Sequence, residues 1–259
     1  MQKRDAAYPD ESRAWRDHFL EQSHTGQNFP WDAPARLSPA ERAAITHSIQ
    51  QFQLGEGANG KRLLRRSLAY GRAARDLFFV RALYLFIKEE NRHSVYLLRF
   101  MHREGITAVS KHWVDTIFRR LRGLAGLELS LRVLVTAEII AVPYYRALRD
   151  ATKSALLKAI CSRILIDEAA HLRFQASMLR RLGCRRGNLA TRIVSRVHRV
   201  FLVGTSCLVW LEHGKVFRAA GYSLRRLGLE SLAEFGDLDQ ASRARARQIH
   251  PVVSALRES

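Results

Sequence analysis

Two Glu-x-x-His motifs are the residues of this sequence best suited to metal chemistry. Glu90 and His93 form the first, in the run IKEENRHSVYLL, and Glu168 and His171 form the second, in RILIDEAAHLRF. On a helix, residues three apart project from one face, so each motif offers a carboxylate oxygen and an imidazole nitrogen to one ion. A single motif of this kind arises by chance in helices rich in Glu and His, whereas two indicate a site.

An isolated glutamate precedes each motif at a similar distance. Glu138 lies 30 residues before Glu168 in the largely apolar run RVLVTAEIIAVPYY, where a carboxylate must be paired, protonated or metal-bound. Glu56 lies 34 residues before Glu90 and is the weaker candidate, because a surface position in a loop is the alternative for it. The sequence therefore predicts six ligands for two metal ions, with solvated or buried ion pairs as the alternative: Glu56, Glu90, His93, Glu138, Glu168 and His171.

Four helices must carry these ligands, and the sequence is typical of an all-α protein. Glycine and proline are sparse after residue 60, and no alternating β-branched stretch indicates a strand. We predict long helices over 39–71, 73–103, 126–150, 153–182 and 188–220, and shorter ones near 110–123 and 238–247.

The first predicted helix has a clear start and an ambiguous interior. Ser38-Pro39-Ala40-Glu41 has the pattern of a capping box with proline at the first helical position. Gly55, Gly57 and Gly60 each cost ~1 kcal/mol relative to alanine inside a helix. Either the helix starts only after Gly60, or the small residues allow a close approach.

Residues 1–37 differ in character from the rest of the chain. They are polar, contain Pro9, Pro30 and Pro34, and show no sustained periodicity. We interpret 1–37 as an N-terminal arm that packs over the body or stays mobile, and 38–259 as one helical domain.

The order and spacing of the six ligands resemble those of the ferritin-like di-iron carboxylate proteins, over about residues 50–180. EENRH resembles the motif of plant acyl-carrier-protein desaturases, DEAAH preceded by Glu138 resembles that of di-iron N-oxygenases, and GEGANGKRLL is similar to the first ligand helix of rubrerythrin-type proteins. The branch stays open. Ala141 stands where the desaturases have a threonine one turn after the glutamate, which weakens the desaturase interpretation.

The resemblance implies a ferritin-like four-helix bundle with additional C-terminal helices and two Fe ions, or a Mn/Fe pair. Asp167 and Glu89 would accept ring N–H groups of the ligand histidines and so fix their tautomers. Glu56 and Glu138 would be terminal ligands, and Glu90 and Glu168 would bridge the two irons. His93 and His171 would each bind one iron.

The function implied is that of a di-iron, oxygen-activating oxidoreductase. Carboxylates with a minority of imidazole suit Fe and Mn rather than Zn, and two bridged irons can reduce O2 by two electrons. Such an enzyme would hydroxylate, desaturate or N-oxidise a mostly apolar substrate, free or carrier-bound, with electrons from a ferredoxin or reductase. A ferritin- or rubrerythrin-like protein that oxidises iron or scavenges peroxide is the alternative, and a tRNA-modifying di-iron hydroxylase is less favoured.

Four other side chains are secondary candidates for the site. Glu212 and His213, in LVWLEHGKVF, can supply an extra ligand, although a capped or salt-bridged pair is the commoner arrangement. Tyr144 and Tyr145 can serve as radical or hydrogen-bonding neighbours, although core packing is the commoner role.

The charge balance is strongly basic, with 43 Lys+Arg against 24 Asp+Glu and a net charge of +19. This charge indicates either a solvated basic surface or an anionic partner such as an acidic carrier protein or ferredoxin. Nucleic acid is disfavoured, because the arginines are dispersed without interleaved aromatic residues. The oligomeric state stays open.

Cysteine usage and hydropathy favour a cytoplasmic protein. Cys161, Cys184 and Cys207 are too far apart for a zinc knuckle, and the N-terminus has no apolar signal region. The most apolar run, 200–211, is much shorter than the ~20 residues that a bilayer span needs, so we predict a buried core helix there and no membrane span.

Overall fold

The computed structural model describes residues 7–33, 36–57, 60–110, 126–184 and 186–243. Within these ranges all regular structure is helical and no strand occurs, which confirms the all-α prediction. The helices, in chain order, are α1 (Ala7–His24), α2 (Pro39–Glu56), α3 (Lys61–Ala73), α4 (Leu77–Arg103), α5 (Leu127–Asp150), α6 (Ala155–Gly183), α7 (Asn188–Ala219) and α8 (Leu224–Arg243).

Helices α5, α6 and α7 match the predicted bounds within two residues. Helix α4 begins at Leu77 rather than at 73, because the Asp76 side chain accepts a hydrogen bond from the Phe79 amide and caps the helix there. Helix α8 begins at Leu224, well before the predicted 238. The helix predicted near 110–123, and the end of the terminal one, lie outside the described residues.

The prediction of one helix over 39–71 is wrong, because the helix is interrupted between Glu56 and Lys61 and forms two elements, α2 and α3. The capping box at Ser38 and Glu41 is present as predicted, but α2 ends at Glu56. Gly60 has a φ of +55°, and a Cβ there would lie 2.7 Å from the Ile87 side chain of α4. Both consequences foreseen for the glycines therefore occur together, a helix start after Gly60 and a close approach to a neighbour.

Helix α1 lies within residues 1–37, where no helix was predicted. It packs on α4 and α6 through two fully buried aromatic side chains, Trp15 and Phe19. The Trp15 ring lies 5.5 Å from that of Phe174 on α6, and the Phe19 ring lies 6.2 Å from that of Phe86 on α4. The helix thus closes one side of the space between α4 and α6.

Contacts at one end of the bundle give the direction of its helices. At one end, Glu41 near the start of α2 accepts a hydrogen bond from the Lys153 amide between α5 and α6. At the same end Arg42 donates to the carbonyl of Glu104, just after α4. Helices α4 and α5 therefore both finish where α2 and α6 start, so α4 and α5 run in the same direction and antiparallel to α2 and α6.

Helix α7 is buried on one face only. It is long and apolar enough to cross a membrane by length and composition, and a third of its most apolar 18-residue window is buried. Leu202 and Val209 face the protein, whereas Val200 and Leu211 are exposed. The prediction of a buried core helix over 200–211 therefore holds for one face of α7.

His198 joins α7 to α5 as a neutral imidazole. Its Nδ1 accepts from Arg132 at 3.3 Å, and its Nε2 lies 2.9 Å from the Thr136 hydroxyl, which itself donates to the Arg132 carbonyl. Burial, together with the Arg132 charge, lowers the pKa of His198 to about 4. The histidine of the unfolded chain has a pKa of about 6.5. Between pH 6.5 and 4 it therefore binds a proton that His198 of the folded chain does not bind.

Stability is expected to fall as the pH drops from about 6.5 toward 4, and His198→Gln is expected to remove this component. The linkage amounts to about 2 kcal/mol at pH 5. Urea unfolding at neutral pH and at pH 5 measures it: the wild type should lose about 2 kcal/mol more than His198→Gln. Equal losses in the two proteins would contradict the neutral, buried state of His198.

Candidate metal centre

The structure brings the six predicted ligands together in the centre of the bundle. Glu56 is the last residue of α2, α4 and α6 each carry a Glu-x-x-His pair in their middle, and Glu138 lies in the middle of α5. Glu90 is slightly accessible and the other five side chains are buried. Carboxylate oxygens and imidazole nitrogens from all four helices therefore converge on one small volume.

These side chains form two groups that can each hold a metal ion. In each group one ligand atom per residue lies within 4.8 Å of all the others. Glu90 and Glu168 belong to both groups, whereas the other four residues belong to one group each. The first group is Glu56, Glu90, His93 and Glu168, and the second is Glu90, Glu138, Glu168 and His171.

The two shared carboxylates lie between the two histidines. Glu168 turns Oε1 toward His93 Nδ1, at 3.8 Å, and Oε2 toward His171 Nδ1, at 3.6 Å. Glu90 Oε1 lies 4.0 Å from His93 Nδ1 and 2.7 Å from His171 Nδ1. Glu168 can therefore give one oxygen to each of two ions, and Glu90 can reach both.

Each ligand histidine is held from behind by a carboxylate of the opposite helix. His93 Nε2 lies 3.0 Å from Asp167 of α6, and His171 Nε2 lies 3.1 Å from Glu89 of α4. The pKa values of both carboxylates are held below their usual range, so each one fixes a proton on Nε2 of its histidine and leaves Nδ1 facing the centre, where it would become the ligand atom once a metal displaces its proton. Asp167 and Glu89, the residues predicted to fix the histidine tautomers, therefore lie where they can do so. Each of them contacts the histidine of the opposite helix.

Two arginines neutralise these carboxylates. Arg163 pairs with Asp167, and Arg92 pairs with Glu89. Both guanidinium groups also contact Gln22, near the end of α1. The arginines lie four and three residues from their partners, the ordinary spacing of a helical ion pair, so sequence reasoning could have found them.

Glu56 and Glu138, which belong to one ligand group each, both accept a hydrogen bond from a neighbouring side chain. The Tyr145 hydroxyl donates to Glu56 at 2.5 Å, and the Gln175 amide donates to Glu138 at 3.2 Å. Tyr145 lies seven residues after Glu138, and Gln175 seven after Glu168, which places each donor two turns along the same helix face. Gln175 was missed by the sequence analysis, although a buried amide in the apolar run FQASML was a signal.

Aromatic side chains cover the centre on the α1 side. The rings of Phe86 and Phe19 lie 4.7 and 6.0 Å from that of His171, and Phe174 packs on both phenylalanines. This side of the centre is therefore shielded from water by hydrocarbon.

Without metal, the ionisation of the cluster is strongly perturbed. Burial and the charges of Glu138 and Glu56 raise the pKa of Glu90 to about 8, and burial with Glu138 and Glu90 raises the pKa of Glu168 well above its usual range. Burial alone would lower the pKa of His93, but the hydrogen bond to Asp167 and nearby glutamates raise it to about 10. Like charges this close in a buried site cannot all ionise unless cations join them.

The unpaired atoms of the cluster fit a pair of divalent cations. Five of its buried polar atoms make no hydrogen bond of regular geometry, although two of them, Glu90 Oε1 and His171 Nδ1, face each other at 2.7 Å. The five are Glu90 Oε1, both carboxylate oxygens of Glu168, and Nδ1 of His93 and of His171. All five point into the centre. Four glutamates carry four negative charges, which two divalent cations balance, and buried charges are stable only when compensated in this way.

Of the four secondary candidates, Tyr145 contacts the cluster, Tyr144 packs in the core, and Glu212 and His213 pair with residues of α2. Tyr145 touches Glu56 directly, whereas Tyr144 stacks on Phe52. His213 Nδ1 lies 3.0 Å from the Ser48 hydroxyl, and Glu212 lies 3.8 Å from His47. Neither Glu212 nor His213 belongs to the two ligand groups, so the paired alternative describes them better.

Asp167→Ala is expected to weaken metal binding about 10- to 100-fold, because His93 loses the acceptor that fixes its ring. Titration with Mn(II) or Fe(II) under anaerobic conditions measures the affinity. Asp237→Ala, which removes an exposed aspartate of α8, serves as the control and should bind metal like the wild type. An Asp167→Ala protein with unchanged affinity would show that this hydrogen bond does not organise the site.

Comparison with protein-family models, with curated proteins and with solved structures gives no match. The function must therefore be derived from the site itself.

Proposed function

We propose that this protein is a di-iron oxidoreductase that activates O2 on a ferritin-like bundle. The observation that carries the proposal is that two carboxylates, Glu90 and Glu168, are shared between two four-residue ligand groups. Shared carboxylates imply two ions close together rather than two separate sites. A pair of adjacent ions suits a reaction that takes two electrons from one centre.

The arrangement of helices supports the ferritin-like assignment. Two helices supply one glutamate each, and the other two supply one Glu-x-x-His pair each, which is the ligand pattern of di-iron carboxylate bundles. The parallel course of α4 and α5 agrees with a bundle that has one long crossover. Helices α7 and α8 are the additional C-terminal helices of the proposal.

The donor set supports iron, with manganese as the other metal that it suits. Four carboxylates and two imidazoles are hard and borderline ligands, and the described cluster contains no thiolate, which zinc or copper sites commonly use. Once bound, two irons supply a two-electron reduction of O2 that can be coupled to oxidation of a C–H bond or an amine.

The chain's own residues hold the centre in a fixed and dry environment. Asp167 and Glu89 orient the imidazoles, and the arginines paired with them keep both carboxylates ionised. Burial raises the pKa of Tyr145 well above its usual value, so its phenol stays protonated and directs that proton at Glu56. The phenylalanine cover excludes water from the side of His171.

An oxidoreductase is favoured over iron storage by the enclosure of the ligands. A storage protein must release its oxidised iron from the site where it is oxidised. Here His93, Glu168 and His171 are fully buried beneath packed side chains, which opposes such release. We therefore propose a retained centre, a mostly apolar substrate, and electrons from a ferredoxin or an external reductase.

Reaction of the Fe(II)-loaded protein with O2 tests this function. We expect O2 to be consumed, with only the bound iron oxidised, and further O2 uptake only when a reductant is added. Continued oxidation of a large excess of Fe(II) would favour storage instead, and a faster reaction with peroxide than with O2 would favour peroxide scavenging. Loaded iron that stays ferrous in air would overturn the proposal.

A further inference from the structure

Helix α7 presents an unusually apolar face to solvent. Six apolar side chains on this face are 44 to 79% exposed. At 100° per residue they fall within an arc of roughly 120° and extend for about 33 Å along the helix. We call this face the α7 ridge, and it consists of Leu189, Ile193, Val197, Val200, Val203 and Leu211.

Positive charge lies within and just beyond one side of the α7 ridge. Arg192, Arg196 and Arg199 are exposed, and within the described parts of the chain none of them forms an ion pair with a carboxylate. The only acidic residue of α7 is Glu212, near its C-terminal end. The ridge therefore combines a hydrocarbon surface with a row of cations, on a chain whose net charge is +19.

We propose that the α7 ridge docks the protein onto the surface of an anionic lipid bilayer. A long helix with one apolar face and basic residues at its edge lies in the plane of a membrane interface, with its apolar side chains among the acyl chains. The arginines then contact anionic headgroups. Charge complementarity thus identifies the occupant of the ridge.

A position across the bilayer is incompatible with the opposite face of α7. His198, Thr205 and His213 are buried there, and the two histidines hold contacts to α5 and α2. If α7 left the protein and crossed the bilayer, these polar groups and the three arginines would be exposed to hydrocarbon. That exposure costs several kcal/mol per group. An in-plane position keeps every one of these contacts.

A second copy of the chain is a poorer occupant than a membrane. Pairing two α7 ridges would bring Arg192, Arg196 and Arg199 of both copies together on two molecules that each carry +19. Nothing acidic on the ridge compensates this repulsion.

Co-sedimentation of the full-length, metal-free protein with vesicles tests the docking independently of the oxidoreductase proposal. We expect binding to vesicles of phosphatidylcholine with phosphatidylserine, little binding to phosphatidylcholine alone, and weaker binding as salt is raised. Val197→Gln/Val200→Gln should reduce the partition coefficient about tenfold or more. Each arginine changed to glutamine should reduce it about fivefold.

The matched control is Leu77→Gln/Val95→Gln on α4, which removes two side chains that are 62 and 58% exposed outside the ridge. It should bind vesicles like the wild type. Equal loss in the control and in the α7 variant, or no binding to anionic vesicles, would overturn the proposal. So would a wild-type dimer that the α7 variant dissociates, or an acidic carrier protein that binds the ridge while vesicles do not.

Discussion

A chain in which Glu168 is replaced by alanine is expected to lose both metal ions, or to keep one with much lower affinity. Glu168 faces His93 with one oxygen and His171 with the other, so its removal takes a ligand from both positions. Glu56→Ala should differ, because Glu56 belongs to only one of the two groups. Its loss should weaken one position and leave the other occupied. Metal content after anaerobic loading and desalting measures both variants.

Two controls separate loss of a ligand from loss of the fold. Glu21→Ala removes an exposed glutamate of α1 and should load like the wild type. Far-ultraviolet circular dichroism of metal-free Glu168→Ala should show wild-type helicity, since removing one of several crowded carboxylates relieves repulsion. A folded Glu168→Ala protein with two tightly held metals would show that the shared-ligand assignment is wrong.

The largest expected effect on stability is that of Asp76→Ala, a loss of about 3–5 kcal/mol. Asp76 is buried just before α4, where it pairs with the buried Arg181 of α6 and accepts from the Ser12 hydroxyl of α1. It also caps α4 through the Phe79 amide. The substitution leaves a guanidinium buried without its counter-charge and removes the cap. Urea denaturation of metal-free protein measures the change.

A double variant shows whether the unpaired charge is responsible. Asp76→Asn/Arg181→Met retains a cap acceptor and replaces the arginine by an apolar side chain of similar length, so it should recover most of the lost stability. Asp150→Ala, which removes an exposed partner of Arg149, should change stability by less than about 1 kcal/mol. If Asp76→Ala were as mild as Asp150→Ala, the buried pair would not hold these helices together.

Most of the helices and the six clustered Glu and His residues could be predicted from the sequence, because both depend on short-range periodicity. The spacing of three in each Glu-x-x-His motif places two candidate ligand atoms on one helix face. An isolated carboxylate such as Glu138 can be recognised because its sequence neighbours are apolar. The capping box at Ser38 was readable for the same reason. Each of these signals lies within a few residues of chain.

Other features depend on contacts between distant residues. The sequence placed Asp167 and Glu89 beside their motifs, but only tertiary packing shows that each serves the histidine of the other helix. Asp76 and Arg181 are 105 residues apart. Helix α1 was missed because its buried positions have helical spacing but include polar groups that weaken the pattern; they are Tyr8, Ser12, Trp15, His18 and Phe19.

The number of metal ions per chain tests the central claim most directly. Metal-free protein is loaded with Fe(II) without oxygen and desalted, and its iron and protein contents are then determined. Two ligand groups that share Glu90 and Glu168 predict two irons per chain. One iron or none would contradict a paired centre and, with it, the proposed oxygen chemistry.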